Sequence, residues 1–296
     1  WLVAHPELAA TSGPFELRRR AGIAAVGLRP DDPDVIAFLR ALFAEMAGLF
    51  PDPYLHLGGD EVAEGAWPGV DIVPAQQRFT AAIVDEVLAL GKVPVLWDEA
   101  WFPGLPAGVV TQVWRGHARF RAAAAGGHPV LFSTPYYLDL AFDPIHHRVD
   151  PLVDAAGWDA ARAALRTDPR VGSLAPLMAA IEGGWDEGVD APDHVDASAV
   201  LGGEACLWTE LCPSHLLLSR LCPNPPWKRS RSRSESKSTK PEPQLDANRF
   251  GRYGVGTAVS MSNSNSLAPF LTPRSSTLAF LATDSSKFLI LPAPAL

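Results

Sequence analysis

Cysteine is scarce in this chain, with three residues in 296, and an odd number cannot close a complete disulfide framework. The same three, Cys206, Cys212 and Cys222, do not fall into a zinc-ligand spacing. Long apolar runs are also missing: none reaches the length needed to cross a bilayer, although 47% of the residues are hydrophobic. That excludes a spanning helix and leaves ample material for a core. The chain lacks an initial Met and a basic leader, so a leader upstream of Trp1 is expected to have been possible and localisation stays open. Positive charge is short where it would matter for nucleic acid. Residues 1–210 hold 29 acids against 14 bases, whereas residues 211–296 hold 4 acids against 11 bases. An acidic body disfavours a nucleic-acid partner for the larger part. Serine shifts at the same place, from 4 residues before position 211 to 15 after it, which marks a boundary between a 1–210 domain and a low-complexity tail over 211–296.

What is present is organised around Tyr54-Leu55-His56-Leu57-Gly58-Gly59-Asp60-Glu61, an apolar run that breaks at two glycines and ends in two carboxylates. Strand side chains alternate between faces, so Asp60 and Glu61 can share one pocket only if the backbone turns, which glycine allows. Adjacent acids disfavour joint ionisation, and one can then stay protonated as a general acid. A solvated surface turn is the bland alternative, and glycines directly after a buried-looking strand make it the weaker one.

Strands and helices alternate along the rest of the body. Asp32-Pro33 is a helix start, followed by Val35, Ile36, Leu39, Leu42, Phe43, Met46 and Leu49 at helical spacing up to Pro51. The spacing also predicts a helix over about 75–90 closed by Gly91 and another over about 117–125 closed by Gly126-Gly127. Strands are expected at 54–59, up to Trp97, at 109–114, at 129–133 and at 200–208. Residues 140–199 form a long excursion, with a helix expected near 159–166. In it Asp143, His146, His147 and Asp150 read as solvated loop residues, with no metal implied. This alternation implies a parallel sheet.

His-x-Gly-Gly-Asp-Glu resembles the signature of family 20 glycoside hydrolases, the β-N-acetylhexosaminidases. Four further segments agree in order: Val95-Leu96-Trp97-Asp98-Glu99, Gln112-Val113-Trp114, Tyr136-Tyr137-Leu138-Asp139 and Gly202-Gly203-Glu204-Ala205-Cys206-Leu207-Trp208-Thr209-Glu210. The resemblance covers roughly residues 1–210. It implies an α/β fold, a (β/α)8 TIM barrel of which this chain holds about strands 4 to 8, with active groups at strand ends. It further implies hydrolysis of terminal non-reducing N-acetylhexosamine by a substrate-assisted retaining mechanism, without cofactor or metal. Glu61 would be the acid and base, Asp60 would orient the acetamido nitrogen, and Tyr137 would bind its oxygen. Trp97, Trp114 and Trp208 would wall the pocket, and Asp139 and Glu210 would bind sugar hydroxyls. Glu99 and Glu204 are weaker candidates, the latter a structural partner inside the barrel. The partner is then a glycan or small glycoside, with neither nucleic acid nor membrane, and the oligomeric state is unknown.

The resemblance sets expectations for the ends of the chain too. Strands 1 to 3, with the family's substrate-binding arginine and a supporting histidine, would be absent, so little turnover and open sheet edges are expected. The 211–296 tail departs from the family's closing helix at Cys212-Pro213, is expected to be disordered around 228–248, and reads as foreign to the family. Two other classes remain open: a carbohydrate-binding pseudoenzyme or inactive fragment, and a retaining glycosidase with Glu99 or Glu210 as protein nucleophile.

Overall fold

The structure, a computed structural model, describes residues 1–17, 22–139, 149–167, 184–208, 212, 214, 255–257 and 279–280. Helix α1 (Pro33–Leu49) starts where Asp32 accepts the amide of Asp34 at 2.8 Å, with Pro33 at the first helical position. It buries Val35, Leu39 and Phe43 against Leu55, Ile83 and Val87. Strand β1 (Tyr54–His56) leads to α2 (Ile72–Ala89), β2 (Val93–Trp97), β3 (Val110–Val113), α3 (His117–Ala125) and β4 (Val130–Phe132). Helix α4 (Ala155–Thr167) then precedes β5 (Val200–Ala205). Two short strands, β6 (Val255–Thr257) and β7 (Ala279–Phe280), complete the sheet.

Among the described residues every pairing between the strands of this sheet is parallel, and the strand order is β6-β5-β4-β3-β2-β1-β7. Sequential parallel strands, joined through helices except between β2 and β3, give a curled half-barrel of the (β/α) type. The expected open edges are the main difference. Gly203 to Ala205 of β5 pair with Val255 to Thr257, and Leu55 and His56 of β1 pair with Ala279 and Phe280. An edge strand exposes a row of unmatched N–H and C=O groups, so any extended segment of the same chain can satisfy them. The 228–248 segment lies outside the described residues.

Alternation along the strands divides the core. On the helix side, Val113, Phe120, Val130, Phe132, Tyr136, Trp158 and Ala205 form one cluster, and Val84, Leu96, Ala100, Leu105 and Val109 another. On the concave side Val95, Val110 and Leu131 pack together, and Trp97, Tyr137 and Cys206 form a cluster flanked by Trp114 and Trp208. Among the described residues no helix is long and apolar enough to cross a membrane.

Candidate active site at the strand ends

The turn after β1 is built by its glycines. Gly58 and Gly59 adopt φ of 75° and 94°, and a Cβ on Gly59 would lie 2.5 Å from Cβ of Ala100. Only glycine permits both the left-handed backbone and that approach. Glu61 continues in the same region with φ 53°, which is uncommon for a residue with a side chain. Hydrogen bonds from neighbouring elements hold the turn. The amide of Trp97 donates to the Gly58 carbonyl at 3.0 Å, Gln76 Nε2 donates to the Gly59 carbonyl at 2.7 Å, and the amide of Glu61 donates to Glu99 Oε2 at 2.9 Å.

The two acids of this turn differ. Asp60 is half-buried, and its desolvation, with the Asp98 charge close by, holds its carboxyl above the usual carboxylate range. Glu61 is exposed. The turn therefore offers one acid to solvent and withdraws the other.

Strand β2 ends in Trp97, Asp98 and Glu99. Asp98 is buried and crosslinks to the end of β3, accepting the Trp114 amide at 3.1 Å and Arg115 Nε at 2.7 Å. Glu99 Oε1 accepts the indole Nε1–H of Trp114 at 3.0 Å. Burial pushes the Glu99 carboxyl up to about 7, against the pull of Arg115 and the Glu61 amide and with help from Asp98 and Asp60. After β4, the helical turn Thr134–Tyr136 delivers Tyr137, which pairs with Cys206 through Leu138 N to Cys206 O at 2.7 Å and Cys206 N to Tyr136 O at 3.1 Å. Burial raises the Tyr137 hydroxyl well above its ordinary value, and nearby Asp139 and Asp60 add to the effect. A neutral phenol in this setting is a hydrogen-bond donor.

The aromatic rings converge. Trp97 and Trp208 have centroids 6.3 Å apart, and Trp114 and Tyr137 are 6.4 Å apart. Thus Trp97, Trp114, Tyr137 and Trp208 meet at one end of the sheet with Asp60 in electrostatic reach, and buried Asp139 follows Tyr137 by two residues. Glu210, Asp143, His146 and His147 lie outside the described residues.

Beneath these rings runs a buried polar belt. Gln112 Nε2 donates to Ser133 Oγ at 2.9 Å and to Glu204 Oε1 at 3.2 Å. Glu204 is therefore a partner inside the sheet, and burial lifts its carboxyl to about 7. His56 accepts the Gly58 amide at 3.0 Å through Nδ1 and meets Trp97 edge-on at 5.0 Å, while burial depresses its imidazole to about 3.

Two contributors escaped the sequence reading. Arg115 directly follows the Gln-Val-Trp segment, and that adjacency was its one available signal. Trp185 comes from the long excursion, where no strand end marks it, and packs edge-on against Trp114 at 4.8 Å. It is anchored by Arg119 Nε donating to its carbonyl at 2.9 Å and by Asp186 accepting the Ala118 amide at 3.1 Å.

The chain is similar to several known proteins. Residues 1–223 match the family described as "Glycosyl hydrolase family 20, catalytic domain". The beta-hexosaminidase subunit beta of Entamoeba histolytica is 27% identical over 215 residues, covering 64% of this chain and 34% of the relative. The human beta-hexosaminidase subunit beta is 25% identical over 210 residues, covering 63% and 31%. A solved chitobiase from Flavobacterium johnsoniae superposes with a TM-score of 0.56 at 25% identity, covering 75% of this chain and 32% of that one. The chain thus spans about a third of the length of the curated relatives it matches.

Proposed function

Because the chain belongs to glycosyl hydrolase family 20, we propose that it cleaves terminal non-reducing N-acetylhexosamine from β-glycosides, with the substrate's own acetamido group as nucleophile. In this reading Glu61 gives its proton to the leaving oxygen while the acetamido carbonyl oxygen attacks the anomeric carbon and the glycosidic bond breaks. Glu61, now a carboxylate, then takes a proton from the water that opens the cyclised intermediate. Its exposure suits exchange with solvent and leaving group. Asp60 accepts the acetamido N–H as a carboxylate, and in its desolvated setting that negative charge gains most when the cyclised acetamido group becomes cationic. Tyr137 donates to the acetamido oxygen and sets the attack angle. Trp97, Trp114 and Trp208 stack on the sugar ring and exclude water, and Asp139 and Glu210 take its hydroxyls.

One observation carries this reading: four aromatic rings and the paired acids share one end of a parallel sheet, with Asp60 in reach of Tyr137. The protein-nucleophile alternative is disfavoured for Glu99, both of whose oxygens are taken by N–H donors. We assign β1 to β5 to the fourth to eighth strands of the family barrel. We also assign residues 1–210 to the catalytic part and 211–296 to a low-complexity tail, foreign to the family beyond residue 223, where the family match ends. Sequencing the encoding transcript across codon 211 checks that boundary.

The functional reading is tested with an aryl N-acetylglucosaminide. Asp60→Asn and Tyr137→Phe should each impair N-acetyl substrates specifically, and a thiazoline mimic of the cyclised intermediate should inhibit strongly. Normal hydrolysis by either variant removes that residue from its role. A trapped covalent glycosyl-protein would replace the acetamido nucleophile with a side chain.

A further inference from the structure

Glu99 is one side chain serving two separate elements. Its Oε2 accepts the backbone N–H of Glu61 in the turn after β1 at 2.9 Å, and its Oε1 accepts the indole N–H of Trp114 at the end of β3 at 3.0 Å. We propose that Glu99 is a positioning residue whose bridging carboxylate locks the acid-bearing turn and the Trp114 wall into one rigid unit. The proposal rests on the roles given above to Glu61 and Trp114, while the bridge itself can be measured without turnover.

Two observations and one general rule support it. The Glu61 backbone sits at φ 53°, a conformation that persists in an L-residue only when its surroundings hold it, and the Glu99 carboxylate is the acceptor aimed at its amide. Hydrogen bonds to an ionised carboxylate are roughly twice as strong as neutral ones. Finally, both oxygens face donors, so the ionised form accepts both at full strength, whereas a protonated one leaves a weaker O–H oxygen opposite one of them. A Gln side chain has a single carbonyl oxygen and must turn its NH2 toward one of the N–H groups.

The surroundings set when the bridge holds. Arg115 favours the carboxylate, whereas burial and the charges of Asp98 and Asp60 oppose it, lifting the group to about 7, and the Glu61 carboxyl shares the same turn. Acidification across neutrality therefore replaces one acceptor by an O–H and releases either Glu61 or Trp114.

The test uses the 296-residue chain labelled with 15N. Among its nine indole N–H resonances, Trp114→Phe identifies that of Trp114. We expect this resonance to move with pH across neutrality in the parent and to stay flat in Glu99→Gln. We also expect exchange of the Glu61 amide to quicken about tenfold or more in Glu99→Gln, as loss of a hydrogen bond to a charged group implies. Glu99→Ala should repeat both changes; if it fails to fold, the near-isosteric Gln variant and the parent pH titration carry the result. A Trp114 resonance indifferent to pH, or a Glu61 amide equally protected in Glu99→Gln, overturns the proposal. The kinetic readout is a split: Glu99→Gln should lower kcat on poorly activated glycosides more than it changes KM. An intact bridge in a chain that hydrolyses no N-acetylhexosaminide sinks the functional reading and leaves the bridge standing. Hydrolysis unaffected by Glu99→Gln, with both spectroscopic signs absent, sinks the positioning role alone.

Discussion

The two faces of one sheet are built on opposite terms. Leu55 and His56 are neighbours in β1, yet Leu55 packs on the helices while His56 faces the concave side under Trp97. The same split separates Leu96 from Trp97, Val113 from Gln112, and Ala205 from Glu204. On the helix side the rings of Phe120 and Phe132 lie 4.5 Å apart, and Trp158 sits 5.6 Å from Phe132, so dispersion and apolar burial dominate. On the concave side desolvation dominates, holding His56 near 3 and both Glu99 and Glu204 near 7. A period of two lets a stability surface and a chemistry surface share every strand, and what stabilises one face is a cost on the other.

The largest expected break in that contrast is catalytic. With the family's first three strands supplied from a homologue, Glu61→Gln should lower kcat on poorly activated N-acetylhexosaminides by about 10²–10⁴-fold, far more than on aryl ones, with little change in thermal midpoint. Parallel rate and melting measurements on both substrate types check it. On the helix side, Phe132→Ala should do the reverse, costing about 3–5 kcal/mol of stability through the cavity it leaves, as read by denaturant unfolding.

The pH response should also differ in sign between a buried imidazole and a buried carboxyl. His117 is buried on the helix side, stacked on Trp158 at 5.1 Å, and its imidazole is depressed from 6.5 to about 4 mainly by burial. Its neutral form is what the fold stores, so its contribution is complete above 6.5 and is lost as pH falls through about 4. The loss amounts to about 3 kcal/mol at most. Glu204 is raised from 4.5 to about 7, so its contribution is complete below 4.5 and is lost as pH rises through about 7. Melting against pH should show His117→Phe flattening the acid limb and Glu204→Gln flattening the neutral one; a Glu204→Gln variant that steepened it would reverse the assignment. The smallest effect is expected at the excursion. Asp186→Ala strips an acceptor from the α3 N-terminus and should cost about 1 kcal/mol, with a change in Trp185 fluorescence.

Much of this architecture could be read before any coordinates. Asp32-Pro33 marked the start of α1, and α3 ran over the residues its spacing and closing glycines indicated. The helix expected near 159–166 lies within α4. The second helix begins at Ile72, earlier than its apolar spacing suggested, because Pro74 occupies the first turn, where its missing N–H is not needed. Of the site, Asp60, Glu61, Trp97, Trp114, Tyr137 and Trp208 were legible as strand-end residues. Trp185 was not, since a residue in a long excursion carries no periodic signal. The strands at 255–257 and 279–280 were hidden for a related reason: edge pairing answers to available backbone groups more than to side-chain pattern.

Local chemistry is written in short stretches of chain. Gly58-Gly59 sets a turn, alternation sorts side chains onto two faces, and capping residues start and stop helices, because each depends on dihedrals and neighbours a few positions away. The electrostatic state of the site depends on distance through folded space. Glu99 meets donors 38 and 15 positions away, and Gln112 reaches Glu204 across 92. The separation of Glu61, open to solvent, from Asp60, Glu99 and Glu204, held back from ionising, was decided only when the strands curled and removed water from one carboxyl and left it around the next.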